Sequence, residues 1–253
     1  MKKTKKYSGY KFKSYSKQEV MNYKKLFNFF DKTPINKEHI LDNVGVFFSS
    51  KFLSRILTLN KLYEMILDKE GVIMEFGVRW GQNLSVFTAM RSIYEPYNIK
   101  RKIIGFDTFK GFPKLTKKDS TIMKKGDLSV PKNYHNYLSN LLIHLEKFNP
   151  VPHIKKHELI KGDATKTIKK YLKKNPQTII SLAFFDLDIY KPTKTCIKAI
   201  IPHLTKGSVL VFDELNDPIS PGETVAFREV FKSYKINLKR YKYSTRISYF
   251  VIN

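Results

Sequence analysis

From residue 71 onward the chain alternates short apolar runs with amphipathic stretches, and an acid closes each apolar run. Val72-Ile-Met leads into Glu75-Phe-Gly77, and Lys102-Ile-Ile-Gly-Phe ends at Asp107. His157-Glu-Leu-Ile is followed by Gly162-Asp163, the run from Thr178 to Phe185 by Asp186, and Gly207-Ser-Val-Leu-Val-Phe by Asp213. Between these runs, residues 84–93, 133–148, 165–174, 194–204 and 224–234 have the apolar spacing of helices. Strand–helix alternation of this kind builds a mostly parallel sheet with helices on both faces. The last twenty residues alternate as two strands with no helix between them, which places an antiparallel strand near the C-terminus. The expected fold is a Rossmann-like α/β domain with a seven-stranded sheet.

Such a sheet binds ligands at the carboxyl edge of its strands, so the acids at the strand ends are the candidate site. The first turn reads Glu75-Phe-Gly77-Val-Arg-Trp-Gly81. Gly77 and Gly81 allow a tight turn and close approach of a ligand. A dinucleotide fingerprint needs glycine two residues after the first, and Arg79 stands there, which disfavours NAD. Asp107, followed by Thr108, ends the second strand, where an acid can accept both hydroxyls of a ribose. Each such acid can equally cap the following helix. The fourth and fifth strands end in Asp186-Leu-Asp188-Ile-Tyr190 and Asp213-Glu214. Neighbouring strands would bring Asp186, Asp213 and Glu214 around one point, an oxygen-only donor set suited to Mg²⁺, Mn²⁺ or Ca²⁺.

The Glu-x-Gly-x-x-x-Gly turn resembles the first motif of class I methyltransferases, which implies that Glu75 helps hold the methionine end of S-adenosylmethionine. Gly162-Asp163-Ala164 resembles the segment that cradles adenine in that superfamily. With Asp186-Leu-Asp188-Ile-Tyr190, Asp213-Glu214 and Pro221-Gly-Glu-Thr-Val-Ala226, the chain resembles the macrocin O-methyltransferase family over roughly residues 53–253. That family carries an Asp-Asp pair where this chain has Asp213-Glu214, so one ligand is longer by a methylene. The resemblance implies a Mg²⁺-assisted O-methyltransferase acting on a sugar hydroxyl, with Asp186 as base and Asp188 next to it; His135, in the helix after the lysine-rich segment, is an alternative base by its position. The acceptor is expected to be a sugar or sugar nucleotide of a surface polysaccharide or glycosylated metabolite. A non-sugar hydroxyl remains the alternative, as does an RNA-binding methyltransferase.

Charge bears on that last choice. Lys and Arg number 47 against 22 Asp and Glu, a net charge of +25. The lysines are spread along the chain and no nucleic-acid motif accompanies them, and the Asn/Asp-Pro-Pro-Tyr/Phe run of many base methyltransferases is absent. Such dispersal fits lysine used as a generic solvated surface residue, and attraction of a phosphorylated or nucleotide-linked substrate is a middle option. The lysine-rich segment from Lys110 to Pro131, with Lys117, Lys118, Lys124 and Lys125, follows the second strand at the ligand edge and is a candidate lid. The single cysteine, Cys196, excludes an internal disulfide and a cysteine zinc site, which fits a cytoplasmic protein. No apolar run follows the basic start Met1 to Ser8, and none is long enough to span a membrane, so neither export signal nor membrane helix is expected. A homodimer is compatible with such a chain.

Two segments are expected: a mainly helical extension or lid over residues 1–70 and the methyltransferase domain over 71–253. Within the first, Lys25-Leu-Phe-Asn-Phe-Phe is expected to pack on the core, and residues 53–67 form an amphipathic helix. Trp80 is expected either near the cofactor or against the N-terminal helices. His39, His144, His153, His157 and His203 lack ligand spacing and are read as surface or packing residues.

Overall fold

The computed structural model describes residues 16–244 and 246–253; the basic start of the expected extension lies outside them. Seven strands form one sheet in the order β3 (His157–Lys161), β2 (Ile103–Asp107), β1 (Val72–Phe76), β4 (Ile180–Phe185), β5 (Leu204–Phe212), β7 (Ser248–Val251), β6 (Lys239–Arg240). The first five are parallel; β7 runs antiparallel to β5, and β6 antiparallel to β7. The expected α/β architecture with its antiparallel C-terminal strand is therefore present. The strand order reverses between β1 and β4, the switch point at which such sheets open a crevice.

Helices α4 (Gln82–Tyr94), α5 (Tyr134–Glu146), α6 (Ala164–Lys174), α7 (Tyr190–Ile200) and α8 (Pro221–Val230) alternate with the strands. Three more precede the sheet: α1 (Lys17–Asp31), α2 (Lys37–Ile40) and α3 (Ser50–Glu64). Successive strand residues point to opposite faces, so Ile73 joins Leu59, Leu62, Phe87 and Leu138 from α3, α4 and α5. Met74 joins Ile168, Cys196 and Ile197 from α6 and α7 on the other side. Helices α7 and α8 begin at Tyr190 and Pro221, three to four residues ahead of the expected 194 and 224. Proline is tolerated in a first helical turn, and Pro192 and Pro221 stand in the first turns of α7 and α8.

One layer of this core sets the level of the site. Phe106, Phe76, Phe185 and Phe212 sit side by side in neighbouring strands, with ring centroids 5.1, 5.0 and 4.9 Å apart along the row. All four are fully buried, and each such ring contributes about 1.5–3 kcal/mol on burial. The next residues along the four strands are Asp107, Gly77, Asp186 and Asp213. The aromatic row thus holds them at one height. The ladder continues through them: Gly77 N donates to Phe106 O, Asp186 N to Phe76 O and Asp213 N to Phe185 O, at 2.9, 2.8 and 3.0 Å.

The expectation that the aromatic run of α1 packs on the core does not hold. No residue of α1 is buried; Phe27 and Phe29 are exposed, and Phe30, itself exposed, meets the edge of Phe47, in a 3-10 turn, at 5.0 Å. The core is reached instead by α3, through Leu59, Leu62 and Tyr63. Among the described residues no helix is long and apolar enough to cross a membrane.

Candidate active site

A cavity of about 410 Å³ opens over the carboxyl ends of β1, β2, β3 and β4. Glu75, Gly77, Asp107, Thr108, Gly162, Asp163, Ala164, Asp186 and Asp188 all line it, with Trp80 at its rim. The volume lies within the range of small-molecule sites.

Local geometry explains several of these positions. Gly77 has φ +98°, and Gly81 at the start of α4 has φ +79°. A Cβ on Gly81 would lie 2.5 Å from the Leu138 side chain, so this glycine serves the packing of α4 on α5 rather than the cavity wall. Asp107 accepts from Arg79 N at 2.8 Å and from Phe109 N at 2.5 Å, which orients its carboxylate. Burial nonetheless raises its pKa against the effect of those N–H groups. Asp163 caps α6: its Oδ1 accepts from the backbone and hydroxyl of Thr165 at 2.9 and 2.7 Å. It therefore both caps a helix and faces the cavity. Glu75 is buried, and burial together with nearby Asp186 holds its pKa well above 4.5. Its Oε1 accepts from Asn83 Nδ2 at 2.9 Å; its Oε2 is buried without a hydrogen bond.

At the β4–β5 side the acids gather with two arginines. Arg55 on α3 donates to Asp213 at 2.7 Å, Asp186 at 3.1 Å and Asn83 at 3.1 Å. Arg246, just before β7, donates to Glu214 at 2.5 Å and lies within 3.7 Å of Asp213. Glu223 on α8 is fully buried and accepts from Glu214 N at 3.0 Å. Burial, then Asp188 and Asp213, hold its pKa well above the usual range.

The acids whose oxygens gather most closely include Asp188 alongside Asp186 and Glu214 of the expected trio. Carboxylate oxygens of Asp186, Asp188 and Glu214 lie within 4.8 Å of one another. Asp213 belongs to the same acidic group but turns to Arg55 and Arg246. Oxygens gathered this closely, with no sulfur or nitrogen among them, suit a hard cation such as Mg²⁺ or Ca²⁺. Four carboxylates (Asp186, Asp188, Asp213, Glu214), with Glu223 held toward its neutral form beside them, face two guanidinium groups, so a divalent cation fits in charge as well as in donor type.

His135 is not brought to the acids. It stands on α5, its ring edge-on to Phe109 at 5.1 Å, and does not line the cavity. Trp80 meets Tyr134 of α5 edge-on at 5.0 Å and lines the cavity. His157 is buried, which lowers its pKa to about 4, in keeping with a packing role.

The segment from Lys110 to Pro131 is a built cover. Phe112 and Met123 form a small core with Ile189 of the β4–α7 turn. Asp119 accepts from Tyr190 N at 2.6 Å, capping α7, and from Thr116 N at 2.6 Å. A Cβ on Gly222 would lie 2.2 Å from Asp119, so α8 also seats against this cover. Lys118 is engaged with Glu229 and with Tyr190 Oη. A second cavity of about 390 Å³ adjoins the first and shares Thr108, Gly111, Phe112, Pro113, Gly162 and Asp163 with it. Lys110, Lys125 and Lys161 line it.

No protein-family model and no curated protein sequence matches the chain. Solved structures do. A structure of CalS11, the calicheamicin methyltransferase, is 39% identical with a TM-score of 0.89, covering 94% of this chain and 93% of CalS11. An apo structure of CalS11, described as a TDP-rhamnose 3'-O-methyltransferase of calicheamicin biosynthesis, is 37% identical with a TM-score of 0.83 over 94% and 95% of the two chains. The O-methyltransferase NovP, at 14% identity and a TM-score of 0.60 over 79% of this chain and 80% of NovP, shares the fold.

Proposed function

Because the chain belongs to the class I S-adenosylmethionine-dependent O-methyltransferases, the family of CalS11, we propose that it methylates a hydroxyl of a nucleotide-activated sugar. The observation that carries this reading is the likeness to a TDP-rhamnose 3'-O-methyltransferase along nearly the whole of both chains. The macrocin-like motifs at the ends of β4 and β5 agree with a sugar acceptor.

In this reading the cofactor lies across the carboxyl ends of β1, β2 and β3. The buried Glu75 faces its cationic methionine end, and Gly77 lets that end approach the backbone. Asp107 accepts from the ribose hydroxyls with the lone pairs its backbone contacts leave over. Asp163 turns Oδ2 to the adenine amino group while Oδ1 keeps α6 capped. The acceptor oxygen then meets the methyl group beside Asp186, which takes its proton, with Asp188 alongside. Transfer is an in-line displacement, so the chain acts chiefly by alignment. Asp186, Asp188 and Glu214 would hold a divalent cation, with Asp213 beside them; when bound it supplies a lowered pKa for the acceptor hydroxyl.

The acceptor's phosphates are assigned to Lys110, Lys125 and Lys161, whose cavity continues from the first. Residues 1–70 act as a lid in this account, with 71–253 as the catalytic domain. Tyr23, Ser49, Lys51 and Phe52 from the first of these line the cavity. Cytoplasmic residence and a homodimer belong to the same reading. Offering TDP-rhamnose and free rhamnose with S-adenosylmethionine, and following methylated product by mass spectrometry, tests it.

A further inference from the structure

Arg55 joins two strand ends of the site. Its helix, α3, is anchored in the core by Leu59, Leu62 and Tyr63, and its guanidinium crosses the cavity wall to two different strand ends. One terminal nitrogen is 2.7 Å from Asp213 Oδ1 and the other 3.1 Å from Asp186 Oδ2. Nε donates to Asn83, which in turn donates to Glu75, so the fork is fixed on three sides. The ring of Phe184 lies 5.6 Å beneath it. Burial opposes the charge, but Asp213 and Asp186 outweigh that and raise the pKa, so the guanidinium is a permanent cation here.

A metal ion at Asp186, Asp188 and Glu214 draws on the same carboxylate of Asp186 that Arg55 holds. Two cations cannot share that carboxylate at close range without repulsion. We propose that Arg55 is an internal counter-ion that competes with the divalent cation: it pairs Asp186 with Asp213 and must yield Asp186 when the ion binds. The inference rests on the metal reading above. It makes an opposite prediction to a supporting role, in which Arg55 orients the acids for the metal. Competition means that removing the guanidinium tightens metal binding; support means that removal weakens it.

The test is a titration of the whole chain with Mn²⁺, read by the electron paramagnetic resonance of the free ion, for wild type, Arg55→Gln and Arg55→Lys. Melting curves of all three establish that the proteins are folded. Arg55→Gln is expected to bind Mn²⁺ more tightly by roughly tenfold or more, since a full charge a few ångströms from the ion is lost. Arg55→Lys keeps a charge but lacks the fork that bridges two carboxylates, and is expected to fall between the two. That variant alone carries the comparison should Arg55→Gln not fold. Unchanged or weaker Mn²⁺ binding by the folded variants overturns the proposal. Absence of Mn²⁺ binding by wild type and variants alike overturns the metal reading itself, and the proposal with it.

Discussion

A methyl group placed on Gly77 would lie 1.9 Å from the backbone carbonyl oxygen of Asp186. The turn after β1 is therefore pressed against the end of β4, where the cofactor's reactive end and the acceptor's base are assigned. The residue also stands at φ +98°, where side chains carry strain. Gly77→Ala must push the two strand ends apart. We expect a stability loss of about 2–3 kcal/mol from strain alone, with binding of S-adenosylhomocysteine abolished in calorimetry. Wild-type affinity in this variant would mean that the turn does not form the cofactor site.

Glu75 gives a prediction with two opposite signs. Its folded pKa is raised above 4.5, so the native protein holds a proton that the unfolded chain releases. Stability from this group therefore falls as pH rises above about 4.5. Glu75→Gln should melt higher than wild type at neutral pH. A cationic cofactor end favours the ionised acid, so wild type should release protons on binding S-adenosylmethionine, visible as a buffer-dependent heat. The variant should lose that release and bind roughly ten- to a hundredfold more weakly, the worth of a charged hydrogen bond. Equal affinity, or no proton release by wild type, would remove Glu75 from the cofactor site.

Much of this architecture was legible in the sequence because parallel strands buried on both faces read as plain apolar runs, and their ends are marked by acids. Glu75, Asp107, Asp163, Asp186 and Asp188 all reach the cavity from such ends. Arg55, Arg246 and Glu223 were not legible. Arg55 meets Asp213 across 158 residues of chain, and a lone arginine in an amphipathic helix carries no local sign of that contact. Glu223 lay inside a recognised segment, but its burial against the Glu214 backbone depends on how α8 seats on the end of β5. His135 read as a candidate from its residue type and its place after the cover, whereas the fold turns it to Phe109 and β3. The aromatic run of α1 misled for a related reason: an apolar stripe predicts a buried face but not a partner for it.

The metal reading makes a chemical prediction of its own. Excess EDTA should abolish turnover and Mg²⁺ should restore it, with Asp186→Asn slower by roughly 10²–10⁴, the usual worth of a positioned base. Full turnover in chelator would confine Asp186, Asp188 and Glu214 to proton transfer and structure.

The lysines separate by position. Lys118 pairs with Glu229 across the cover and α8, so Lys118→Ser should chiefly loosen the cover. Lys110, Lys125 and Lys161 together replaced by Ser should raise KM for a nucleotide sugar while leaving kcat near wild type. The effect should shrink as salt rises and screening grows. A KM that does not move would take the phosphates elsewhere.

The central claim is methyl transfer to a nucleotide-bound sugar. The most direct measurement incubates the purified chain with methyl-labelled S-adenosylmethionine, Mg²⁺ and TDP-rhamnose, in parallel with free rhamnose and with no acceptor. Label is followed into intact products by mass spectrometry. The account predicts label in the nucleotide sugar, one labelled methyl group in place of one hydroxyl hydrogen, at a rate well above that of the free sugar, with stoichiometric S-adenosylhomocysteine. A folded protein that binds S-adenosylhomocysteine yet labels neither TDP-rhamnose nor any other nucleotide sugar would contradict it.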